Sequence, residues 1–285
     1  MGLVAVIFSF LVWGLIPIYW KLMEEVDAME LLAYRVIGAT LVAFVLVGLR
    51  NEFRAYRKEM SSFRGALFQF GSALFLGINW YTFVWAIIND RILDASLGYY
   101  LSPFVTIALG QLFGKDRLNV LQWTAVGLVA FGTAVQFLLK GNVPLPAVII
   151  AGSWGCYGLF KNKNPVSAYC SLAAEGTFLT PLSLIFLIVA GQRTGIALGS
   201  GDASLDALLY STGIVVSIPM LSYGFGARRV SLLTLSMAQY LGPTVTLLVA
   251  VFIYNEPFGT GKSIAFFLIW IGITVYIVDA FRQRP

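Results

Sequence analysis

No histidine occurs in this 285-residue sequence, and charged side chains make up only 12% of it. Soluble domains carry about a quarter charged residues, so water is not the main solvent for the surface this chain presents. The missing histidine removes the side chain most often used as a general base or zinc ligand. Two cysteines, Cys156 and Cys170, are too few for a disulfide framework. With no imidazole to activate either thiol, both read as packing residues. No Walker-type glycine loop is present, so this chain by itself offers no site for ATP-driven work. The first apolar run begins at Gly2 with neither a basic leader nor a small-residue cleavage site, and reads as a membrane span instead of a signal peptide. No cofactor and no metal is expected.

What remains is apolar. Hydrophobic residues reach 59% and the mean hydropathy is +0.82. A bilayer core needs about 20 apolar residues per helix, and ten stretches approach that length: 3–22, 31–49, 66–88, 95–113, 120–139, 145–161, 171–190, 206–226, 231–253 and 261–281. The expected fold class is all-α, a polytopic membrane protein of ten transmembrane helices. Basic residues set its orientation. With the N-terminus inside, 13 Lys and Arg fall on the cytoplasmic side, including Arg50 to Arg64, Lys115, Arg117, Lys161, Lys163, Arg228 and Arg229, against 5 on the other. Both termini are therefore expected in the cytoplasm. The net charge of +5 is a topology signal and not a nucleic-acid footprint. The basic, amphipathic stretch 50–64 reads as a surface helix or loop on anionic lipid.

An internal repeat is visible. Tyr100-Leu101-Ser102-Pro103-Phe104-Val105-Thr106 matches Tyr240-Leu241-Gly242-Pro243-Thr244-Val245-Thr246 at an offset of 140. Ser96 and Ser236, Asp116 and Glu256, and Gly132 and Gly272 share that offset, and Trp13-Gly14 echoes Trp154-Gly155 at 141. Two units of five spans follow, 1–140 and 141–285. Because five is odd, the second unit enters the membrane from the opposite side. That is the inverted repeat of secondary transporters, whose sites lie near the midplane between repeats.

Several stretches carry a resemblance: Glu30-Leu31-Leu32-Ala33-Tyr34-Arg35, Asn79-Trp80-Tyr81-Thr82-Phe83-Val84-Trp85-Ala86, Leu93-Asp94-Ala95-Ser96-Leu97-Gly98-Tyr99 and Gln239-Tyr240-Leu241-Gly242-Pro243-Thr244. Over nearly its whole length the chain resembles the RarD group of the EamA-type drug/metabolite transporter superfamily. The resemblance implies a ten-span permease of the bacterial inner membrane with two five-helix EamA repeats. Asp94 stands where the group usually has Glu, Asp116 where Glu is common, and Tyr34 where His is common. Any histidine-based proton relay of relatives is thus excluded here.

Charges inside spans are costly and mark functional sites by default. Arg35 lies about one turn into the second span and Glu175 about one turn into the seventh, again 140 residues apart. Arg35 is a candidate to hold an anionic group of a substrate, and Glu175 to receive an amine or a coupling proton. Both could instead snorkel or pair with neighbours. Asp116 and Glu256 end the fourth and ninth spans and are candidate gates, or else caps on the following helix. Pro103 and Pro243 should kink those two spans and free a carbonyl each. Around them Asn79, Trp80, Tyr99, Tyr100, Gln239 and Tyr240 are candidate substrate-binding residues, with Ser102, Thr106, Ser217, Tyr223 and Thr244 completing a polar lining. Helix-to-helix hydrogen bonding is the plainer role for many of these. The expected function is secondary transport of small organic solutes such as amino acids, metabolites or drugs by alternating access, with protons as a candidate coupling partner. The alternative is an intramembrane enzyme acting on lipid or small amphipathic substrates.

Overall fold

The computed structural model describes residues 1–88, 92–113, 118–138, 145–254 and 260–282. Among them every regular element is a helix: α1 (Gly2–Trp20), α2 (Ala28–Leu49), α3 (Phe53–Ser61), α4 (Phe63–Ile88), α5 (Ile92–Phe113), α6 (Val120–Leu138), α7 (Leu145–Asn162), α8 (Ala168–Arg193), α9 (Ala203–Ala227), α10 (Leu232–Gln239), α11 (Leu241–Phe252) and α12 (Thr260–Arg282). A 3₁₀ turn, Lys21–Met23, extends α1.

The helix starts are written locally. Asp27 accepts from the amides of Met29 and Glu30, Ser167 from Cys170, Asp202 from Ser204 and Leu205, and Ser231 from Thr234. Each satisfies donors that the first turn leaves without a partner. The Ser204 hydroxyl, followed by the Leu205 and Ser204 amides, holds the exposed Asp202 carboxyl below its ordinary range.

Among the described residues, six segments are long and apolar enough to cross a membrane: Gly2–Met23, Ala28–Leu49, Phe63–Ala86, Ala168–Arg193, Ala203–Ala227 and Leu232–Val249. The other stretches expected as spans, 95–113, 120–139, 145–161 and 261–281, fall on α5, α6, α7 and α12, with position 139 outside the described residues. Two features depart from ten uninterrupted helices. The basic stretch after α2 contains a helix of its own, α3, which has no buried residue and a strongly amphipathic pattern. The expected ninth span is broken at Tyr240 into α10 and α11. Pro243 cannot donate to the Gln239 carbonyl and its ring crowds it, and the Tyr240 amide turns instead to Met237 O, three residues back. Pro103 sits within a continuous α5.

The packing is reciprocal. α1 lies on α9 and α11 much as α7 lies on α4 and α5, and α2 contacts α9 as α8 contacts α4. Three further contacts, α2 with α8, α5 with α10 and α6 with α12, join segments about 140 residues apart. Thr180 Oγ1 donates to Thr40 Oγ1 at 3.0 Å, linking two residues at that same offset. Glycine permits the closest approaches: a Cβ at Gly14 would lie 2.4 Å from Val245 Cβ, and one at Gly155 2.6 Å from Val105 Cγ1. Gly38 and Gly213 bring α2 and α9 into backbone contact, where a Cβ on Gly38 would lie 2.7 Å from Gly213 Cα. Large apolar side chains such as Leu41, Val45, Leu182, Ile185, Ile188 and Ile214 face outward, an arrangement suited to lipid and not to water.

Candidate functional site

Ser167 starts α8, and two turns later the same helix carries Glu175, which is fully buried. Its counter-ion is Lys161 from the last turn of α7, itself only 2% exposed, with Nζ 2.7 Å from Oε1. Further donors saturate the carboxylate: Ser72 Oγ at 2.6 Å, Ser171 Oγ at 3.3 Å and Tyr157 Oη at 3.3 Å. Lys161 also donates to Ser171 Oγ at 2.7 Å. Removing two charges from a polar solvent is expensive and is offset only with good geometry and full hydrogen bonding, which this site has. The hydrogen bonds continue through Asn164, whose Nδ2 donates to Ser171 Oγ and to Gln69 Oε1, and from Gln69 Nε2 to Glu59 on α3.

Lys161 is a correction to the sequence reading, which counted it among loop charges. α7 runs through Asn162, and the lysine stem folds back between α7 and α8. An isolated basic residue at the end of an apolar run looks the same whether it faces lipid headgroups or a carboxylate 14 positions later.

Arg35 is held differently. Asp27 caps α2, and two turns on the guanidinium lies 4.1 Å above the centroid of the Trp80 ring, with Trp20 at 6.0 Å. Its Nε and Nη2 are buried and have no acceptor among the described residues. Glu30, one turn earlier and also buried, is taken: it accepts from Tyr34 Oη at 3.0 Å and from the Ala197 amide at 2.7 Å. Tyr99 lies near enough to interact electrostatically with the guanidinium.

Asn79, Trp80 and Tyr99 therefore gather around Arg35 or next to it. Asn79 is fully buried, donating to Ile150 O at 3.1 Å and Ser153 Oγ at 3.3 Å while accepting from Tyr99 Oη at 3.2 Å. From Tyr99 a column of rings runs through Trp154 to Tyr157 and so to Glu175; Trp13, Phe10 and Tyr223 pack on it. A narrow crevice between α2, α4 and α8 is lined by Val36, Thr40, Leu76, Trp80, Glu175 and Gly176 among others. Trp80 is thus shared, with Arg35 over its ring and the crevice toward Glu175 beside it. Ser72 and Trp80 are eight residues apart on α4, which separates the two charged sites by about 12 Å along that helix.

The remaining sequence candidates lie elsewhere. Tyr100 and Tyr240 pack against each other and Ile273, with Tyr240 Oη donating to Tyr100 O at 3.5 Å. Gln239 Nε2 donates to Thr106 Oγ1 at 3.2 Å, while its Oε1 and the hydroxyl of Tyr223 are buried without partners among the described residues. Ser102 and Ser217 each donate to a carbonyl one turn back in their own helix, and Thr244 to the carbonyl of Tyr240 at the break before α11. Asp116 and Glu256 lie outside the described residues. No group of three or more potential metal ligands occurs among the described residues.

A profile of the EamA-like transporter family matches residues 1–138. Protein RarD of Escherichia coli (strain K12) is 35% identical over 99% of this chain and 96% of its own length. The uncharacterized transporter YojE of Bacillus subtilis (strain 168) is 34% identical over 99% of this chain and 95% of its own. This chain belongs to the RarD group of the EamA-like transporter family. A more distant relative, the chloramphenicol-sensitive protein RarD of Pseudomonas aeruginosa, is 26% identical over 94% of the chain. A solved crystal structure with 18% identity superposes over 98% of both chains with a TM-score of 0.76, a likeness of fold alone. Membership of this RarD group, together with the apolar helices, makes the chain a multi-pass membrane protein.

Proposed function

We propose that the protein is a secondary transporter of small organic solutes, working by alternating access around a site between α2, α4 and α8. One observation carries the reading: two charges within the spans, Arg35 with its Nε and Nη2 buried and Glu175 fully buried, sit at the repeat offset of 140 on helices that pack together, joined by Trp80 and a crevice. Ionisable groups at membrane depth are functional by default, and the crevice between them is mostly apolar, with Trp80 as its one aromatic side and Thr40 and Glu175 as its polar groups, a lining that suits amphipathic solutes.

Reciprocal packing supports the rest of the scheme. If α1, α2, α4, α5 and α6 correspond to α7, α8, α9, α10–α11 and α12, each principal contact maps onto another or onto itself. That is the behaviour of two five-span units related by a pseudo-two-fold axis, with ten crossings, units 1–140 and 141–285, and Thr40–Thr180 on the axis. Rocking of one unit against the other would open the site to alternate sides. The bias of basic residues favours both termini in the cytoplasm, and the bacterial RarD relatives favour an inner-membrane location.

Flux of labelled amino acids and a small drug panel into proteoliposomes, with and without a pH gradient, tests the reading. Saturable, protein-dependent uptake of at least one compound is expected. Folded protein that moves none of them, or that converts a compound chemically, would overturn it in favour of the enzyme alternative.

A further inference from the structure

The unpaired edge of Arg35 specifies what the site takes. A guanidinium offers its Nε–H and one Nη–H along a single edge, and these two parallel donors match the two oxygens of a carboxylate. Nε and Nη2 form that edge, and they are the two atoms left buried without an acceptor among the described residues. The cation is immobilised by stacking on Trp80 at 4.1 Å, so the edge is presented in a fixed plane while the side chain as a whole keeps partial exposure. Among the described residues no anion reaches this edge. Each buried carboxylate among the described residues is engaged elsewhere: Glu30 by Tyr34 and the Ala197 amide, Glu175 by Lys161, Asp279 by Asn119 and Gln122.

We infer that Arg35 is a bidentate carboxylate-binding residue and that the preferred solute is an organic monoanion with an apolar or aromatic body, not a zwitterionic amino acid or an amine. The anion completes the guanidinium edge, and the body lies against Trp80, Trp20 and Tyr99. An ammonium on the same solute would meet the repulsion of Arg35 and find Glu175 already saturated by Lys161, Ser72, Ser171 and Tyr157. This assignment rests on the transport reading above and names its substrate class.

The test uses four compounds with one phenyl body: 3-phenylpropionate, 3-phenylpropionamide, phenethylamine and phenylalanine. Binding to the purified full chain in nanodiscs is followed by intrinsic tryptophan fluorescence, and uptake is measured in proteoliposomes. 3-Phenylpropionate is expected to bind about tenfold or more tighter than the other three. Arg35→Lys, which keeps the charge but loses the fork, should lose about tenfold of that affinity, and Arg35→Met should abolish the preference. Equal binding of phenethylamine or phenylalanine, absence of binding by the anion, or an Arg35→Met protein that is folded and binds the anion unchanged would each overturn the assignment. Uptake separates the two claims. Saturable flux of neutral or cationic compounds that is indifferent to Arg35 sinks the assignment and leaves the transporter standing. Anion binding lost in Arg35→Met, with no flux of any compound, supports the site and sinks the transport reading.

Discussion

Glu175 and Arg35 stand 140 residues apart on helices that pack together, yet their surroundings differ in nearly every respect. The Glu175 carboxylate has a lysine at 2.7 Å and three hydroxyl donors, and its hydrogen bonds run on through Asn164 and Gln69 to Glu59. The Arg35 guanidinium has an aromatic plate and two donors left over. A saturated charge in a low-dielectric interior is a structural asset so long as all its partners stay; an unsaturated one costs stability and persists where a ligand completes it. On the proposed reading, the same fold keeps one charge for its own cohesion and the other open for a solute. Coupling between the two would run through Trp80 and the crevice residues Thr40 and Gly176, which touch across the α2–α8 contact.

The largest effect expected from this contrast is at Lys161. Lys161→Met leaves the Glu175 carboxylate buried without its counter-ion and should cost about 3–5 kcal/mol, enough to lower the thermal midpoint sharply or prevent recovery of folded protein. The paired change Lys161→Gln with Glu175→Gln keeps hydrogen-bonding shapes while removing both charges, and should recover most of that loss. Thermal unfolding in detergent of Lys161→Gln, Glu175→Gln and the pair closes a double-mutant cycle that checks this, with Lys161→Met run beside it. If the single variant unfolds like the parent, the pair is not the structural element described above.

Arg35→Met should move stability the other way. Two unsatisfied buried donors disappear, each costing about 1–3 kcal/mol, while a cation–π contact worth about 0.5–2 kcal/mol is lost and methionine keeps packing on Trp80. A net gain of about 1 kcal/mol is expected in the absence of solute, seen as a higher melting temperature. A marked fall in stability would instead mean that the guanidinium is a structural pillar like Lys161, and the contrast between the two sites would collapse.

How much of this was legible in the sequence differs between the two sites. Arg35 and Glu175 stood out because a charge deep in an apolar run is a local signal, visible in one window of residues. The helices, their caps at Asp27, Ser167, Asp202 and Ser231, and the amphipathic stretch that becomes α3 are local in the same way. Lys161 was misread because burial is decided by what packs on a residue. Its partners, Glu175 and Ser171, arrive from the next helix, α8, and no periodicity around position 161 announces them. Tyr100 and Tyr240 matched across the repeat, and matching by itself does not separate a ligand wall from a helix seam; the structure has them packing on each other. The break at Tyr240 versus the unbroken α5 likewise shows that identical Pro positions have different outcomes when their neighbours differ, since Leu-Gly-Pro and Leu-Ser-Pro differ at the residue before proline. Ser102 can return a hydrogen bond to Gly98 O, and Gly242 has no side chain to do so.

The finest version of the contrast lies in two stacked tyrosines. Tyr157 and Tyr223 lie with ring centroids 6.1 Å apart and planes within 9°, and both are fully buried. Their hydroxyls part company: Tyr157 donates to Glu175 at 3.3 Å, whereas Tyr223 has no partner among the described residues. Each Tyr→Phe change removes one oxygen and leaves the ring stack in place, so packing cancels between the two variants. Tyr157→Phe should cost about 1 kcal/mol, toward the lower end for a hydrogen bond to a charged group because the contact is long. Tyr223→Phe should be neutral or stabilising by up to ~1 kcal/mol, since it deletes a buried polar group that nothing satisfies. Thermal unfolding of the two variants side by side reads the difference directly. Equal costs would mean that Tyr223 meets a partner in the working protein, and its hydroxyl, beside Gly158, would then be a second group, after Arg35, that solute or water completes.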